Sequence, residues 1–148
     1  MARFQYRMQN ILDIKLKLEE QAKNEYAIAR GKLDEEEKVL ADLNQRKKKY
    51  EEINIKLKQE KISISDLIEN YQAIDTMEHL ITDQIQKKKK AEELLETKRQ
   101  ELQAVMQERK THDKLKEKAF EQFVKDENAR ESKEIDELTS YSYGKNKE

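Results

Sequence analysis

The sequence predicts an all-α protein, two long helices folded back into an antiparallel coiled-coil hairpin. Three observations carry that expectation. The 148 residues are 43% charged and only 35% hydrophobic, with no Pro and two Gly, which is too little apolar matter for a globular core of this length. Apolar residues nevertheless recur at steps of three, four and seven, the spacing of one helix face. The helical reading clearly breaks at one place in the first 138 residues, Lys61-Ile62-Ser63-Ile64-Ser65-Asp66-Leu67. There Ile62, Ser63, Ile64 and Ser65 alternate with a period of two, which a helix cannot use.

The expected elements are helix 1 over about 4–61 and helix 2 over about 66–138, in a single domain of residues 1–138, with the joint at 61–66. Ser63 is placed to cap helix 2, its hydroxyl oxygen accepting from backbone N–H groups of the next turn. Asp66 adds negative charge to that turn, and Ile62 with Leu67 has the spacing of a hydrophobic staple. A cap at Ser65 or Asp66 is about as good, which places the joint to within a few residues. Residues 139–148 lose the periodicity and are expected to form a disordered tail.

Along helix 1 the seam reads Phe4, Met8, Ile11, Leu18, Ala22, Tyr26, Ala29, Leu33, Leu40, Leu43, Tyr50, Ile53 and Leu57. The steps of four, four and three from Leu18 to Ala29 make an eleven-residue unit that locally unwinds the supercoil. Along helix 2 it reads Leu67, Tyr71, Ile74, Ile81, Ile85, Leu95, Leu102, Val105, His112, Leu115, Ala119 and Phe123. Lys88 and Lys98 or Arg99 interrupt it with stems long enough to snorkel outward. Folding at 63–64 pairs residues whose numbers sum to about 128, among them Leu43 with Ile85, Leu33 with Leu95, Tyr26 with Leu102, Ala22 with Met106 and Met8 with Phe120. It also lays Asp34–Glu37 near Lys87–Lys90. Gly31 reads as a tolerated surface glycine, with a local bend or close helix approach beside Ala29 as the alternative. At about 1.5 Å per residue each arm would be roughly 90 Å long.

Charge narrows the class of partner. The 31 basic and 32 acidic residues nearly cancel, whereas phosphate backbones demand a basic excess, so nucleic acid is not expected. Without Cys there is neither a disulfide frame nor thiolate chemistry. No apolar run approaches the roughly 18 residues of a membrane span and no signal peptide is seen, which leads to the expectation of a soluble, intracellular protein. No Gly-rich phosphate loop or nucleophile elbow is found. His79 and His112 lie 33 residues apart on one helix and cannot share a metal. Doubled carboxylates such as Glu19-Glu20, Glu51-Glu52 and Glu92-Glu93 read as solvated faces. We therefore expect no enzyme, no cofactor and no catalytic or metal-binding residue.

A two-stranded coiled coil buries two positions in seven, so surplus apolar residues must face water or a partner. At the end holding both termini these are Leu12, Ile14, Leu16 and Val124, beside Phe4, Met8, Ile11, Phe120 and Phe123. At the joint they are Ile55, Ile64, Ile68 and Leu80, beside Tyr50, Tyr71 and Ile74. Each cluster can simply seal an end of the hairpin. Taken together they suggest two binding surfaces joined by a stiff coil.

Three blocks carry a resemblance. The opening Phe4-Gln5-Tyr6-Arg7-Met8-Gln9-Asn10-Ile11-Leu12-Asp13-Ile14-Lys15, then Glu19-Glu20 and Glu25-Tyr26-Ala27, is similar to the start of the FliJ family of flagellar export proteins. Ser65-Asp66-Leu67-Ile68-Glu69-Asn70-Tyr71-Gln72 with Ile74, Ile81 and Ile85 resembles its middle. Leu115-Lys116-Glu117-Lys118, Phe123, Glu127, Arg130 and Glu134-Ile135-Asp136-Glu137-Leu138 resemble its closing helix.

The resemblance implies a non-enzymatic stalk of the type III export apparatus, cytoplasmic and peripheral to the inner membrane at the flagellar base. It implies contact with the ring of the export ATPase FliI, promoting its assembly and turnover, through Met8, Ile11, Leu12, Phe120, Phe123 and Leu138. The gate protein FlhA, through its cytoplasmic region, would meet Leu43, Tyr50, Ile74 and Ile81. Val39, Arg46, Glu78 and Ile85 complete the family's gate surface, where Arg46 and Glu78 depart from its apolar or aromatic preference. Export chaperones are further implied partners, and the chain is expected to be monomeric by itself. The rival readings are a secretion chaperone or chaperone-escort module for export substrates, and a self-assembling coiled-coil spacer.

Overall fold

The structure is a computed structural model and describes residues 2–60 and 63–146. It is all-α: α1 spans Gln9–Gln59 and α2 spans Ile64–Asn146, packed against one another, with no strand among the described residues. The chain divides into two compact units. A terminal unit holds the residues up to Glu20 and those from Gln103 onward, and a joint unit spans Gln21–Leu102.

Local chemistry sets the ends of the helices. The helix expected from Phe4 begins instead at Gln9, because Phe4 leaves the helical path to pack on two rings of α2. A tight turn leads in, with Gln9 N–H donating to the Tyr6 carbonyl (3.1 Å) and Leu12 N–H to that of Met8 (3.1 Å). Lys56 and Lys58 lie in the last turn of α1, where the carbonyl end of the helix favours cations. Lys61 and Ile62, half of the expected staple, lie outside the described residues. Ser63 caps α2 as its sequence position predicts: Asp66 N–H donates to the Ser63 hydroxyl at 3.4 Å and to its carbonyl at 3.1 Å. Asp66 supplies the negative charge of the first turn.

The last segment departs from expectation. α2 runs on through the stretch expected to be a disordered tail, as far as Asn146, while 147–148 lie outside the described residues. No proline interrupts it, and Gly144 does not adopt positive φ. From 128 to 145 every side chain is exposed, so the stretch is held by helical hydrogen bonds and local side-chain contacts such as Arg130 with Glu127 and Lys145 over Tyr141.

Burial along α1 traces an unbroken heptad: Leu12, Lys15, Glu19, Ala22, Tyr26, Ala29, Leu33, Glu36, Leu40, Leu43, Lys47, Tyr50, Asn54 and Leu57 alternate steps of three and four, all buried or half-buried. The eleven-residue irregularity is absent. It arose from placing Leu18 in the seam, whereas Leu18 is exposed and Glu19 takes that position. Met8, Ile11 and Ile53 are likewise exposed rather than in the seam, as are Tyr71, Ile85 and Leu115 of α2. The α2 seam instead takes in Asn70, Met77, Gln84, Ala91, Arg109 and Lys116, while Lys88 and Lys98 occupy seam positions as expected.

The register of the joint unit follows from side chains that cross between helices. Asn70 Nδ2 donates to the Tyr50 carbonyl at 3.0 Å, and Gln84 Nε2 donates to the Glu36 carbonyl at 3.0 Å and to the Glu36 carboxylate. Lys98 reaches Glu25 at 3.3 Å and Lys47 reaches Glu78 at 3.5 Å. Residue numbers in these four pairs sum to between 120 and 125, all short of the expected 128. Leu33 therefore lies nearer the level of Ala91 than that of Leu95, and Leu43 nearer that of Ile81 than that of Ile85. The expected register matched apolar residues only with each other. The two seam carboxamides settle it differently, because a buried amide must find a partner and a main-chain carbonyl supplies one. Of the two charge runs, Glu36 and Lys87 come close enough that Lys87, after Lys32 and Gln84, helps hold the Glu36 carboxyl below its usual range.

In the terminal unit, Glu19 meets Arg109 and Lys15 meets Glu108 at 2.9 Å. Phe4, rather than Met8, packs on Phe120.

Gly31 is an exposed helical residue, and a Cβ added there would meet nothing within 4 Å, so it marks no close approach. Two outcomes follow for urea unfolding. Gly31→Ala should raise stability by roughly 1 kcal/mol, because it only lowers the entropy of the unfolded chain. Leu33→Ala, which empties a buried seam position, should lower it by roughly 2–5 kcal/mol.

Candidate functional site

Two regions collect the residues that the sequence marks for partners. In the terminal unit the nucleus is aromatic. The Phe4 ring stands edge-on to Phe120 (centroids 5.2 Å apart, planes at 75°) and tilted against Phe123 (5.3 Å, 52°). Such offset geometries suit the ring quadrupoles. Beside it opens a shallow groove of about 500 Å³ lined by Arg3, Phe4, Gln5, Tyr6, Gln9 and Lys116. Phe120 still leaves 49% of its surface exposed.

The expected ring-contact residues do not form one surface. Leu12 is 3% exposed and serves the seam, and Phe123 is half-buried under Phe4. Met8, Ile11 and Phe120 face solvent, as does Leu138, 67% exposed on the segment of α2 that has no helix beside it. Ile14 and Leu18, at three and seven residues beyond Ile11, extend an exposed apolar stripe along α1. The sequence reading placed Leu18 in the seam, which hid this stripe.

Below the aromatic nucleus lies a feature the sequence reading missed. Glu19, 5% exposed, receives two hydrogen bonds from Arg109, at 2.6 Å from Nε and 3.3 Å from Nη2, and Arg109 also donates to Asp113 at 2.7 Å. Hydrogen bonding to Glu19, and next to Asp113, raises the Arg109 pKa well above its ordinary value and keeps the guanidinium charged. One signal was available: Glu19 and Arg109 fall on heptad positions. Doubled carboxylates suggest a solvated face, and Glu20 is indeed exposed.

In the joint unit, the four expected gate contacts go to packing first. Leu43 is buried, and Tyr50, Ile74 and Ile81 are half-buried along the seam. Of the flanking positions, Val39 and Ile85 expose their apolar side chains, Arg46 is exposed, and Glu78 pairs with Lys47. Lys58 sits 5.4 Å from the Tyr71 ring centre, and hydrogen bonds from Lys58 and then Asn54 hold the Tyr71 pKa below its ordinary value. The described residues contain no group of acidic residues and histidines placed to hold a metal, and no helix long and apolar enough to cross a membrane.

A family model described as Flagellar FliJ protein matches residues 4–148. The chain belongs to the FliJ family. It is therefore a component of the flagellar export apparatus, and its hairpin architecture agrees with the coiled coil implied by the family resemblance. The curated proteins and the solved structures yield no match.

The buried ion pair yields a direct test. Arg109→Leu should lower the melting temperature clearly, because Glu19 would remain buried without its main cation. The double variant Glu19→Leu/Arg109→Leu should recover the wild-type value or exceed it, since apolar seam positions avoid the desolvation cost of ions. A pH series gives a second test. Glu36, Glu96 and Glu108 are held below their ordinary value of 4.5, chiefly by hydrogen bonds to Lys32, Arg99 and Lys15 respectively. Carboxyls depressed in the folded state contribute stability above that ordinary value, and lose it as pH falls through their folded values. The melting temperature should therefore drop below about pH 4.5, and Glu36→Gln should make that drop shallower. The effect should be modest and screened by salt, because these groups face solvent.

Proposed function

We propose that this FliJ-family chain is a non-enzymatic coupling stalk of the flagellar type III export apparatus. In this reading the terminal unit engages the ring of the export ATPase FliI and promotes its assembly and turnover. The joint unit links that ring to the cytoplasmic region of the gate protein FlhA, and export chaperones are further partners. The protein works in the cytoplasm, at the inner membrane beneath the flagellar base.

The observation that carries the reading is the α2 segment after Glu127. There, 128–145 remain helical with every side chain exposed, and Ile135 and Leu138 add apolar surface along the helix. An isolated amphipathic helix of this kind is a ready partner for an apolar groove on another protein. Phe120, Met8 and Ile11 supply exposed apolar area in the same unit. Leu12 and Phe123 act by holding that surface in shape. For the gate, Val39 and Ile85 are the first contacts we assign, with Tyr50, Ile74 and Ile81 contributing their exposed edges and Leu43 supporting them from the seam.

The test is the turnover and oligomer size of the cognate FliI ATPase, with and without this protein. Turnover and hexamer content should both rise, and Phe120→Asp or Leu138→Asp should abolish both effects while leaving helicity intact. No change at saturating protein would remove the stalk reading. Retention of unfolded export substrates without effect on the ATPase would support a chaperone in its place.

A further inference from the structure

We propose that the joint unit carries a self-complementary docking face whose occupant is the same face of a second copy of this chain. Charge is segregated between the two helices here. Residues 46–58 of α1 carry six Lys or Arg and two Glu, whereas 63–86 of α2 carry five Asp or Glu and neither Lys nor Arg. Part of this opposition is satisfied within the chain, where Lys47 meets Glu78 at 3.5 Å beside the seam. Lys49, Lys56 and Glu69 are exposed, and no ion pair takes them up among the described residues.

These charges border an apolar groove. Tyr50, Ile53 and Leu57 line it from α1, and Asp66, Glu69, Asn70 and Ala73 from α2, enclosing about 370 Å³. Ile53 stands 44% exposed in its wall. Lys49 and Lys56 lie four residues before and three after Ile53, on the same side of α1. The face thus reads across as a basic edge, an apolar floor and an acidic edge.

That order selects the occupant. A polyanion such as nucleic acid or an anionic lipid surface would gain at the basic edge but meet the acidic one. A uniformly basic partner would suffer the reverse. A second copy satisfies both edges at once. A two-fold axis running along the groove lays α1 of each copy over α2 of the other. It brings the Lys56 of each copy level with the Glu69 of the other and sets each Ile53 against the facing apolar floor. Such a contact is isologous, so each favourable pair occurs twice. Its charged edges are exposed, so the association should be strongest at low salt and weaken as salt is added.

The experiment is the mass of the full-length chain by light scattering, measured across concentration at low and high salt. At low salt the mass should rise with concentration toward that of two chains, and fall back when salt is added. Lys56→Glu and Glu69→Lys should each remain single, because each homodimer would face two like-charged pairs. An equimolar mixture of the two variants should regain the two-chain mass, since both crossed pairs become attractive. Ile53→Asp should also stay single, with helicity by circular dichroism showing that the hairpin is intact. A wild-type mass of one chain under all conditions would overturn the proposal. So would variants that associate as the wild type does, or a mixture that stays single. The proposal does not depend on the export reading.

Discussion

Two side-chain amides that donate to main-chain carbonyls govern how the joint unit is built. Asn70 bonds Tyr50, and Gln84, two heptads further along α2, bonds Glu36, two heptads earlier along α1. Each amide lies within the seam, where an unpaired polar group costs far more than a paired one returns. Sliding one helix past the other by a turn would strand both amides together. A register carried by Leu and Ile alone would lack that penalty, because one apolar contact is readily exchanged for another. The same fixed register brings Ala91 closer than Leu95 to the level of Leu33 and leaves Lys49, Ile53 and Lys56 on the groove side of α1.

The terminal unit uses a different device. There Glu19, Arg109 and Asp113 form a network at the seam, and a cluster of three phenylalanines lies near the start of α1. Buried ions add little net stability but penalise any arrangement that separates them. Beyond this region α2 continues with no helix beside it, so its backbone should open to solvent far more readily than the seam.

The sequence makes much of this legible. Steps of three and four identify the helices, the Ile-Ser alternation locates the joint, and Ser63 caps α2 as its position foretells. What stayed hidden has one physical cause. An apolar pattern shows where hydrophobic side chains recur, whereas this seam also holds Lys15, Glu19, Asn70, Gln84 and Arg109. Leaving those positions out admitted Leu18, Tyr71, Ile85 and Leu115 in their place, shifted the pairing and created an irregularity in a regular heptad. The same substitution hid Ile11 and Leu18 as members of an exposed stripe with Ile14. The start of α1 was obscured for another reason. Only the fold shows that Phe4 departs from the helix to reach Phe120 and Phe123.

Cysteine cross-linking measures the register most directly, and the chain suits it because it contains no Cys. Leu33→Cys would be combined either with Ala91→Cys or with Leu95→Cys, and disulfide formation followed under mild oxidation. The amide-fixed register predicts rapid, near-complete closure of the Leu33/Ala91 pair and slow, partial closure of the Leu33/Leu95 pair. The opposite order would show that apolar matching, and not the two amides, sets how the helices align.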